Sequence, residues 1–455
     1  MKKIFIHLLL LSGAVCSSKI THAQKDTSLY RPDTVLVNMP AQWTLEACID
    51  YAKKKNISIA TLRLSERSAQ EDLLQSRAAV LPNLTGTVTQ GLVNSNNANP
   101  VVGGFQTQAS LSGNYGVNSS ITLYNGGYLK NDIRSKQLSL QSANLNVKET
   151  ENDLTLSITQ AFFNILLAQD NVTSLQSVLT TTQVQLKQGQ QKFDAGALAK
   201  KDLLQLQSQV AADQYNLVNA ENAFRLNTAT LKQILLLPTA YDLKISAPDS
   251  IPVIQAQANL AEAQSEAQQT RPEVKNGEIL IQRAQVEVEK SQAAVKPTLS
   301  LGAGLASGYS DNQGFGYFSQ LNNNFYQTLG LTLGIPIYTR RVNKTNINKT
   351  KILLEQQKLS LVNTKTVLNQ QVEQAYINLQ NAQAQYNAAD TQMRTTSEVY
   401  RITNEQLALG AVTTLEVLQE KNLYVQALQN FIQAKYNAAL YNKIYEFYMG
   451  IPVTF

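Results

Sequence analysis

Two kinds of apolar periodicity run through this chain, and they occupy different stretches of it. From Phe105 to Tyr124 the odd positions are Phe105, Thr107, Ala109, Leu111, Gly113, Tyr115, Val117, Ser119, Ile121 and Leu123. The even positions include Gln106, Gln108, Ser110, Ser112, Asn114, Asn118, Ser120 and Thr122. A strand places alternate residues on opposite faces, so this spacing predicts one two-faced strand of about 20 residues, where about 5–6 is usual. Phe325 to Tyr338 repeats the pattern, with Phe325, Leu329, Leu331, Leu333, Ile335 and Ile337 against Thr328, Gly330, Thr332, Gly334 and Tyr338. Weaker alternation predicts partner strands over about 84–93 and 298–309. Between them, Asn94–Gly104 and Ser310–Asn324 are rich in Asn and Gly and read as exposed loops.

The second periodicity is helical. Steps of four and three from Leu154 give Ile158, Ala161, Ile165, Ala168, Val172, Leu175, Leu179, Thr182, Leu186, Gly189 and Phe193. A stripe of period 3.5 over more than five heptads predicts a left-handed coiled coil. The next stripe is Leu203, Leu206, Val210, Asp213, Leu217, Ala220, Phe224, Asn227, Leu231 and Ile234. It is Ala-rich and broken by polar residues, so a tight two-stranded zipper is not expected. Long helices are expected over about 128–193, 199–236, 341–407 and 413–447, the first of them about 100 Å long at 1.5 Å per residue. Shorter helices are expected over about Leu45–Val80 and Ala256–Val295.

These elements come twice. Gln160-Ala161-Phe162-Phe163-Asn164-Ile165 matches Gln374-Ala375-Tyr376-Ile377-Asn378-Leu379, an offset of 214 residues (374 less 160). Ile121-Thr122-Leu123-Tyr124 matches Ile335-Pro336-Ile337-Tyr338, and Phe193-Asp194-Ala195-Gly196 matches Leu407-Ala408-Leu409-Gly410, at the same offset. Leu81-Pro82-Asn83-Leu84 matches Lys296-Pro297-Thr298-Leu299 one residue later. The chain therefore reads as a tandem duplication. Its organisation is a leader over 1–23, a first repeat over 24–237, a linker over 238–252 and a second repeat over 253–455.

Composition narrows the function. Only 16% of the 455 residues are charged, and the formal charge is +6. Residues 1–23 read as a secretory signal peptide: Lys2 and Lys3, an apolar run from Ile4 to Leu11, and Thr21-His22-Ala23 before the cut. A rival reading makes Cys16 a lipidated N-terminus, although Val15 is a poor residue to precede it. Cleavage after Ala23 removes three lysines, taking +6 to +3, and both histidines, leaving Cys48 as the one cysteine. Histidine-based triads, His-containing zinc sites and an intrachain disulfide are thereby excluded. Near-neutral charge without a basic cluster argues against nucleic acid. The four methionines form no cluster, and Gly314-Phe315-Gly316 lacks the Lys-Ser/Thr of a phosphate loop. No cofactor, metal or catalytic residue is expected, and the chain does not read as an enzyme.

Long two-faced strands suit either a soluble sandwich with the apolar face inward or a membrane barrel with that face toward lipid. Secretion, the small amount of β sequence and aromatics at both strand ends favour lipid. Phe105, Tyr309, Phe315, Tyr317, Phe318, Phe325 and Tyr326 lie near the loops, and Tyr124, Tyr128 and Tyr338 near the helices. Four strands cannot close a barrel, and an open edge cannot face lipid, so copies must associate. Two would give 8 strands and no lumen; three would give 12 and a channel. The expected fold is a mixed α and β membrane protein: four strands per chain, 12 in three copies, closing a membrane β-barrel whose wall the helices continue as a tube of coiled coils.

An ordered set of motifs now carries a resemblance. Trp43-Thr44-Leu45-Glu46-Ala47 opens the first helix, Leu81-Pro82-Asn83-Leu84 the first strand, and Arg271-Pro272-Glu273 the second repeat. Leu123-Tyr124-Asn125-Gly126-Gly127 forms the strand-to-helix joint, and Gly196 and Gly410 sit between the long helices. With the duplication, this set resembles the outer-membrane efflux protein family, the TolC-like trimeric channel-tunnels, over nearly all of residues 43–450. The resemblance implies a homotrimer that performs no chemistry, its 12-stranded outer-membrane β-barrel continued by a long α-helical coiled-coil periplasmic tunnel. It implies an exit duct of a tripartite efflux or type I secretion system, working with a periplasmic adaptor (membrane fusion) protein and an inner-membrane pump.

The resemblance also implies sites. The Gly turns would form the adaptor-contacting tip, with Ala195, Gly196, Ala197, Leu198, Leu409, Gly410, Ala411 and Val412. Pore-gate candidates are Glu416, where the family carries a lumenal acid, Gln419, where many relatives carry a second acid, and Asp202, its repeat partner. Each has a plainer reading: a connecting turn for the glycines, a solvated helix charge for the acids. Relatives often pair the Asp202 acid with an aromatic or basic residue where this chain has Leu407 and Val412. Lys200 and Lys201 read as solvated tip charges and Cys48 as an inert helix residue. The alternative to a duct is a secreted periplasmic coiled-coil structural or interaction protein without channel activity; a carboxylate-dependent enzyme has no constellation to support it.

Overall fold

The structure is a computed structural model that describes residues 39–40, 42–98, 103, 105–246 and 259–454. The expected signal peptide, Cys16 and residues 247–252 of the linker lie outside the described residues. Thr44 opens the first helix among the described residues, its hydroxyl accepting the Ala47 amide. That helix, α1 (Leu45–Lys55), stops at Asn56, whose extended backbone breaks the run and whose side chain caps α2 (Ile57–Ala78). The single helix expected over Leu45–Val80 is thus two. The same break recurs in the second repeat between α5 (Leu260–Thr270) and α6 (Pro272–Ala293). There Pro272 forces Arg271 out of helical geometry and then serves as the first residue of the next helix.

Four strands follow the order β1 (Asn83–Ala98), β2 (Phe105–Asn125), β3 (Thr298–Ser310) and β4 (Tyr326–Gly334) in one antiparallel meander. β1 runs five residues into the expected loop, pairing Ala98 with Phe105. β4 ends earlier than expected. Pro336 has no N–H to give a ladder, so Ile335–Tyr338 leaves the sheet. Its repeat counterpart Thr122 stays in β2, at the register shift between Thr122 and Tyr124. Register sorts the faces. One carries Leu84, Val88, Val117, Ile121, Leu301, Leu305 and Leu331; the other carries Thr87, Asn114, Asn118, Ser120, Ser300 and Thr328. Away from the loop end, nothing among the described residues covers the apolar face: Leu84, Val88 and Leu329 are 77%, 76% and 78% exposed.

The expected loop over Ser310–Asn324 contains a short helix, α7 (Tyr317–Asn323). It sits over the apolar face at the loop end. The Tyr317 ring lies 4.9 Å from that of Tyr309 and 6.5 Å from that of Tyr115. Buried Gln320 ties it down, accepting the Ser310 amide at 2.9 Å and donating to the carbonyls of Ser310 and Phe315 at 2.9 and 2.7 Å.

Four long helices complete the chain: α3 (Tyr128–Asp194), α4 (Lys200–Ile234), α8 (Val342–Ala408) and α9 (Thr414–Tyr448). The stripe read from sequence is the buried one. Ile158, Ala161, Ile165, Ala168, Leu175, Leu179, Thr182 and Gly189 are buried on α3, and Leu203, Leu206, Asp213, Leu217 and Leu231 on α4. The second repeat builds its own core from Ala263, Ala267, Val274, Leu368, Val372, Ala375, Leu379, Tyr445 and Tyr448. Among the described residues no helix is long and apolar enough to cross a membrane.

Each strand-to-helix joint turns through two left-handed residues. In the first repeat these are Gly126 (φ 69°) and Gly127 (φ 93°). In the second they are Arg340 (φ 48°) and Arg341 (φ 68°), which pay about 1–2 kcal/mol each for a backbone that glycine adopts freely.

Candidate functional site

Two places combine accessible backbone turns with unusual electrostatics: the far ends of the long helix pairs, and the contact between the pairs just behind those ends. At the ends, α3 closes with the Ala197 amide bonded to the Lys192 carbonyl at 2.7 Å and the Gly196 amide to Phe193 at 2.9 Å. α8 closes identically, Ala411 to Gln406 at 2.9 Å and Gly410 to Leu407 at 3.1 Å. Both glycines have φ of 74°, as this helix-ending turn requires. Ala195, Gly196, Ala197, Leu409, Gly410 and Ala411 are exposed, while Leu198 and Val412 are half-buried. Leu198 folds back toward Gly189. A side chain at Gly189 would come within 2.5 Å of Leu206 and 3.5 Å of Leu198, which explains a glycine within the apolar stripe.

The two repeats start their return helices differently. Thr413 and Glu416 form a reciprocal capping box: the Glu416 amide donates to the Thr413 hydroxyl at 3.3 Å, and the Thr413 amide to the Glu416 carboxylate at 2.8 Å. Ala199 occupies the same place in the first repeat and offers no side-chain cap. Glu416 is exposed, so its carboxylate both holds a helix end and presents charge to solvent. Gln419 is exposed and Asp202 half-buried in the first turn of α4. Among the described residues, no hydrogen bond or ion pair joins Asp202, Glu416 and Gln419 to one another. Lys200 is exposed and lies 5.2 Å from the centre of the Phe193 ring. Cys48 is buried in α1, and burial, with the charge of Glu46 adding, pushes its thiol up to about 12.

Behind the tip lies a buried ionic cluster that pattern reading did not identify. Lys421 of α9 is 2% exposed and Asp213 of α4 is 4% exposed. The Lys421 ammonium donates to the Asp213 carboxylate and, at 2.5 Å, to the Thr182 hydroxyl of α3. Thr182 in turn donates to Asp213 at 2.6 Å. Gln209 donates to the other Asp213 oxygen at 2.9 Å and to Asn422 at 3.2 Å. Burial lowers the Lys421 pKa, against the opposing pull of Asp213. The signal in the sequence was Asp213 itself, an acid at a stripe position that points inward. Its partner could not be found the same way, because Lys421 comes from the other repeat.

A second cluster occupies the middle of the helical part. Arg271 lies 4.5 Å from the Phe447 ring centre and 5.4 Å from that of Tyr448, and its Nε donates to Glu273 at 2.9 Å. Burial raises the pKa of Glu149, aided by Glu273 and Asp153. Asp153 is also raised, by burial first, with Arg271 opposing. No group of three or more metal-ligating side chains occurs among the described residues.

A sequence model of the outer membrane efflux protein family matches residues 48–235 and 255–441. The outer membrane efflux protein BepC of Brucella suis biovar 1 (strain 1330) is 21% identical over 412 residues, 90% of this chain and 85% of that protein. A crystal structure of CusC superposes with a TM-score of 0.78 at 17% identity, covering 93% of this chain and 96% of that one. The Campylobacter jejuni CmeC outer membrane channel gives 0.73 at 17% identity, covering 89% and 85%. The uncovered apolar sheet face, the long paired helices and these matches agree: the chain belongs to the outer membrane efflux protein family, is not an enzyme, and acts as an outer-membrane exit duct with a periplasmic helical extension.

Proposed function

We propose that this chain works as a homotrimer, passively conducting substrates received from a periplasmic adaptor and an inner-membrane pump. One observation carries the reading. Among the described residues, a four-stranded arc whose apolar face is bare except under α7 at the loop end finishes in two unpaired edges, β1 and β4, and each half of it leads into a 67-residue helix. Lipid must cover the face, and other copies must cover the edges. Three arcs supply 12 strands, enough for a lumen lined by the Asn, Ser and Thr face. In this reading the first repeat, 24–237, and the second, 253–455, each give two strands and one helical hairpin. The hairpin ends, Ala195–Leu198 and Leu409–Val412, meet the adaptor. Glu416 forms an anionic ring of three at the entrance that favours cations, with Gln419 and Asp202 beside it.

The test is purification in detergent, sizing, and reconstitution into planar lipid films. The expected result is a trimer with discrete ion conductance. A monomer that stays soluble without detergent, or films that remain silent, would overturn the proposal in favour of a periplasmic structural coiled coil. Glu416→Gln should reduce the preference of the conductance for cations over anions. Cross-linking from Ala197 or Ala411 should capture a periplasmic protein with helical hairpins.

A further inference from the structure

The joint between β4 and α8 is the place where the molecule departs most from its own repeat. Asn125-Gly126-Gly127 becomes Thr339-Arg340-Arg341, yet both left-handed residues are kept. Two bulky side chains therefore occupy backbone positions that favour glycine, and strain of this kind clusters at functional sites. The charge pattern changes with it. Arg340, Arg341, Lys344, Lys349 and Lys351 fall within 12 residues, a local basic cluster that the near-neutral overall charge masks, contrary to the sequence reading, and no acid occurs between Asp311 and Glu355. The start of a helix is the end that disfavours cations, and α8 has no acid in its first turn to offset them.

At the first joint the corresponding charges are neutralised, in part by α6 of the second repeat. Lys290 meets Asp132 at 2.7 Å, Lys136 meets Asp72 at 2.9 Å and Arg134 meets Glu289 at 3.7 Å. None of the five second-repeat cations enters an ion pair among the described residues. Arg340, Arg341 and Lys344 are exposed. Just before them Ile337 and Tyr338 stand 94% and 83% exposed at the end of the apolar face. The order along the chain is thus apolar residue, aromatic residue, then cations, which is the order of acyl chain, interface and phosphate in a lipid leaflet.

We infer that Arg340, Arg341 and Lys344 form a basic site for the anionic headgroups of the periplasmic leaflet, with phosphatidylglycerol-type phosphates as the ligand. The inference rests on the outer-membrane duct reading. The distances fit it. A headgroup layer is roughly 5–8 Å thick on each side of the hydrocarbon. Lys344 lies about 5 Å beyond Arg341 along the helix axis, within that layer. Lys349 and Lys351 lie about 12 and 15 Å beyond, where they add a screened attraction. The Arg forks suit phosphate oxygens.

The test uses the full-length assembled protein in detergent and native mass spectrometry with added phosphatidylglycerol or phosphatidylethanolamine. Arg340→Gly/Arg341→Gly/Lys344→Gln is the informative variant, because two of its changes restore the turn that the first repeat already folds. The wild type should retain phosphatidylglycerol in preference. The variant should lose about a hundredfold in apparent affinity, roughly fivefold per cation removed, while keeping its trimer and its conductance. Equal retention of the two lipids by wild type, or an undiminished preference in the variant, would overturn the site. Dissociation of the variant into single copies would overturn it too, by showing that the cations pair with carboxylates of a neighbouring copy. A wild type that fails to conduct would instead sink the duct reading itself.

Discussion

Lys421→Met should loosen α9 from the α3–α4 pair by about 3 kcal/mol. Breaking a buried ion pair by removing one partner costs about 3–5 kcal/mol, because the other charge stays buried. Asp213 would keep one donor on each oxygen, Thr182 at 2.6 Å and Gln209 at 2.9 Å, so the lower end applies. Hydrogen exchange reads the effect locally. Amides of α9 that open by local separation should lose about 150-fold in protection, the equivalent of 3 kcal/mol. Amides at the far end of α9, near Tyr445 in the separate second-repeat core, should not change. Asp213→Leu combined with Lys421→Met replaces the pair with apolar bulk and should return protection to within about 1 kcal/mol of wild type. A single variant within about 0.5 kcal/mol of wild type, or a double variant worse than the single, would refute the view that this pair pins the helices.

Other outcomes follow from the same geometry. Gly410→Ala places a Cβ on a backbone with φ of 74° and should cost about 1 kcal/mol, read as faster exchange at the α8–α9 turn. Glu149→Gln should raise the thermal midpoint at neutral pH. Its carboxyl pKa is raised in the folded state, so the folded chain holds the proton longer, and stability falls as pH rises from the ordinary carboxylate value through the raised one. The wild type should therefore gain stability on mild acidification through this group, and the variant should lose that gain. Phe318→Trp should be quenched by brominated lipid, because α7 lies over the apolar face of the sheet; quenching by iodide alone would put that face in water. Trp43, the one native tryptophan, is buried at the start of α1 and serves as the unquenched control.

Period and offset made much of this architecture legible in advance. The 3.5-residue stripe works because α3 and α4 bury one narrow face each; Ile158, Leu175 and Leu217 could be read off by counting. The alternation in β2 works because only one face of the sheet is apolar. Breaks were harder. Asn56 is a weak helix former and a favoured cap, but the apolar period runs across it, and only the Ile59 amide bound to its side chain shows that it starts a new helix. Pro336 ends β4 early, although the apolar alternation continues to Ile337. α7 hides in an Asn- and Gly-rich segment, since its seven residues are held by Gln320 and not by any periodic face. The tip glycines were legible because a positive φ leaves a residue-type signature. The Lys421–Asp213–Thr182 cluster was only half legible, because one-dimensional patterns do not say which stripe meets which.

Comparing the repeats position by position shows where duplication stopped being symmetric. Thr182 keeps its hydroxyl as Thr396, but Asp213 becomes buried Ala427, and Lys421 stands where the first repeat has Gln207. The cluster therefore exists in one sense only: α9 of the second repeat is pinned to the α3–α4 pair of the first, and among the described residues no reciprocal buried ion pair holds α4 to α8–α9. The caps are asymmetric too, with Thr413 and Glu416 securing α9 where Ala199 leaves α4 uncapped. So are the joints, neutral and glycine-turned in one repeat, cationic and strained in the other. A buried ion pair adds little net stability against an apolar alternative, but it penalises sliding by even one residue, since the charge would then lose its partner. In helix pairs whose contact faces are rich in Ala and polar residues, apolar packing alone discriminates register poorly. The pin thus supplies the register that the stripe leaves loose, and it does so on the helix whose first turn carries Glu416. Any outward movement of that turn must either bend α9 between Glu416 and Lys421 or break the pin. If the Glu416 turn lines the entrance as proposed, Lys421→Met should raise the open fraction of the channel in the same films where Glu416→Gln changes only its ion preference.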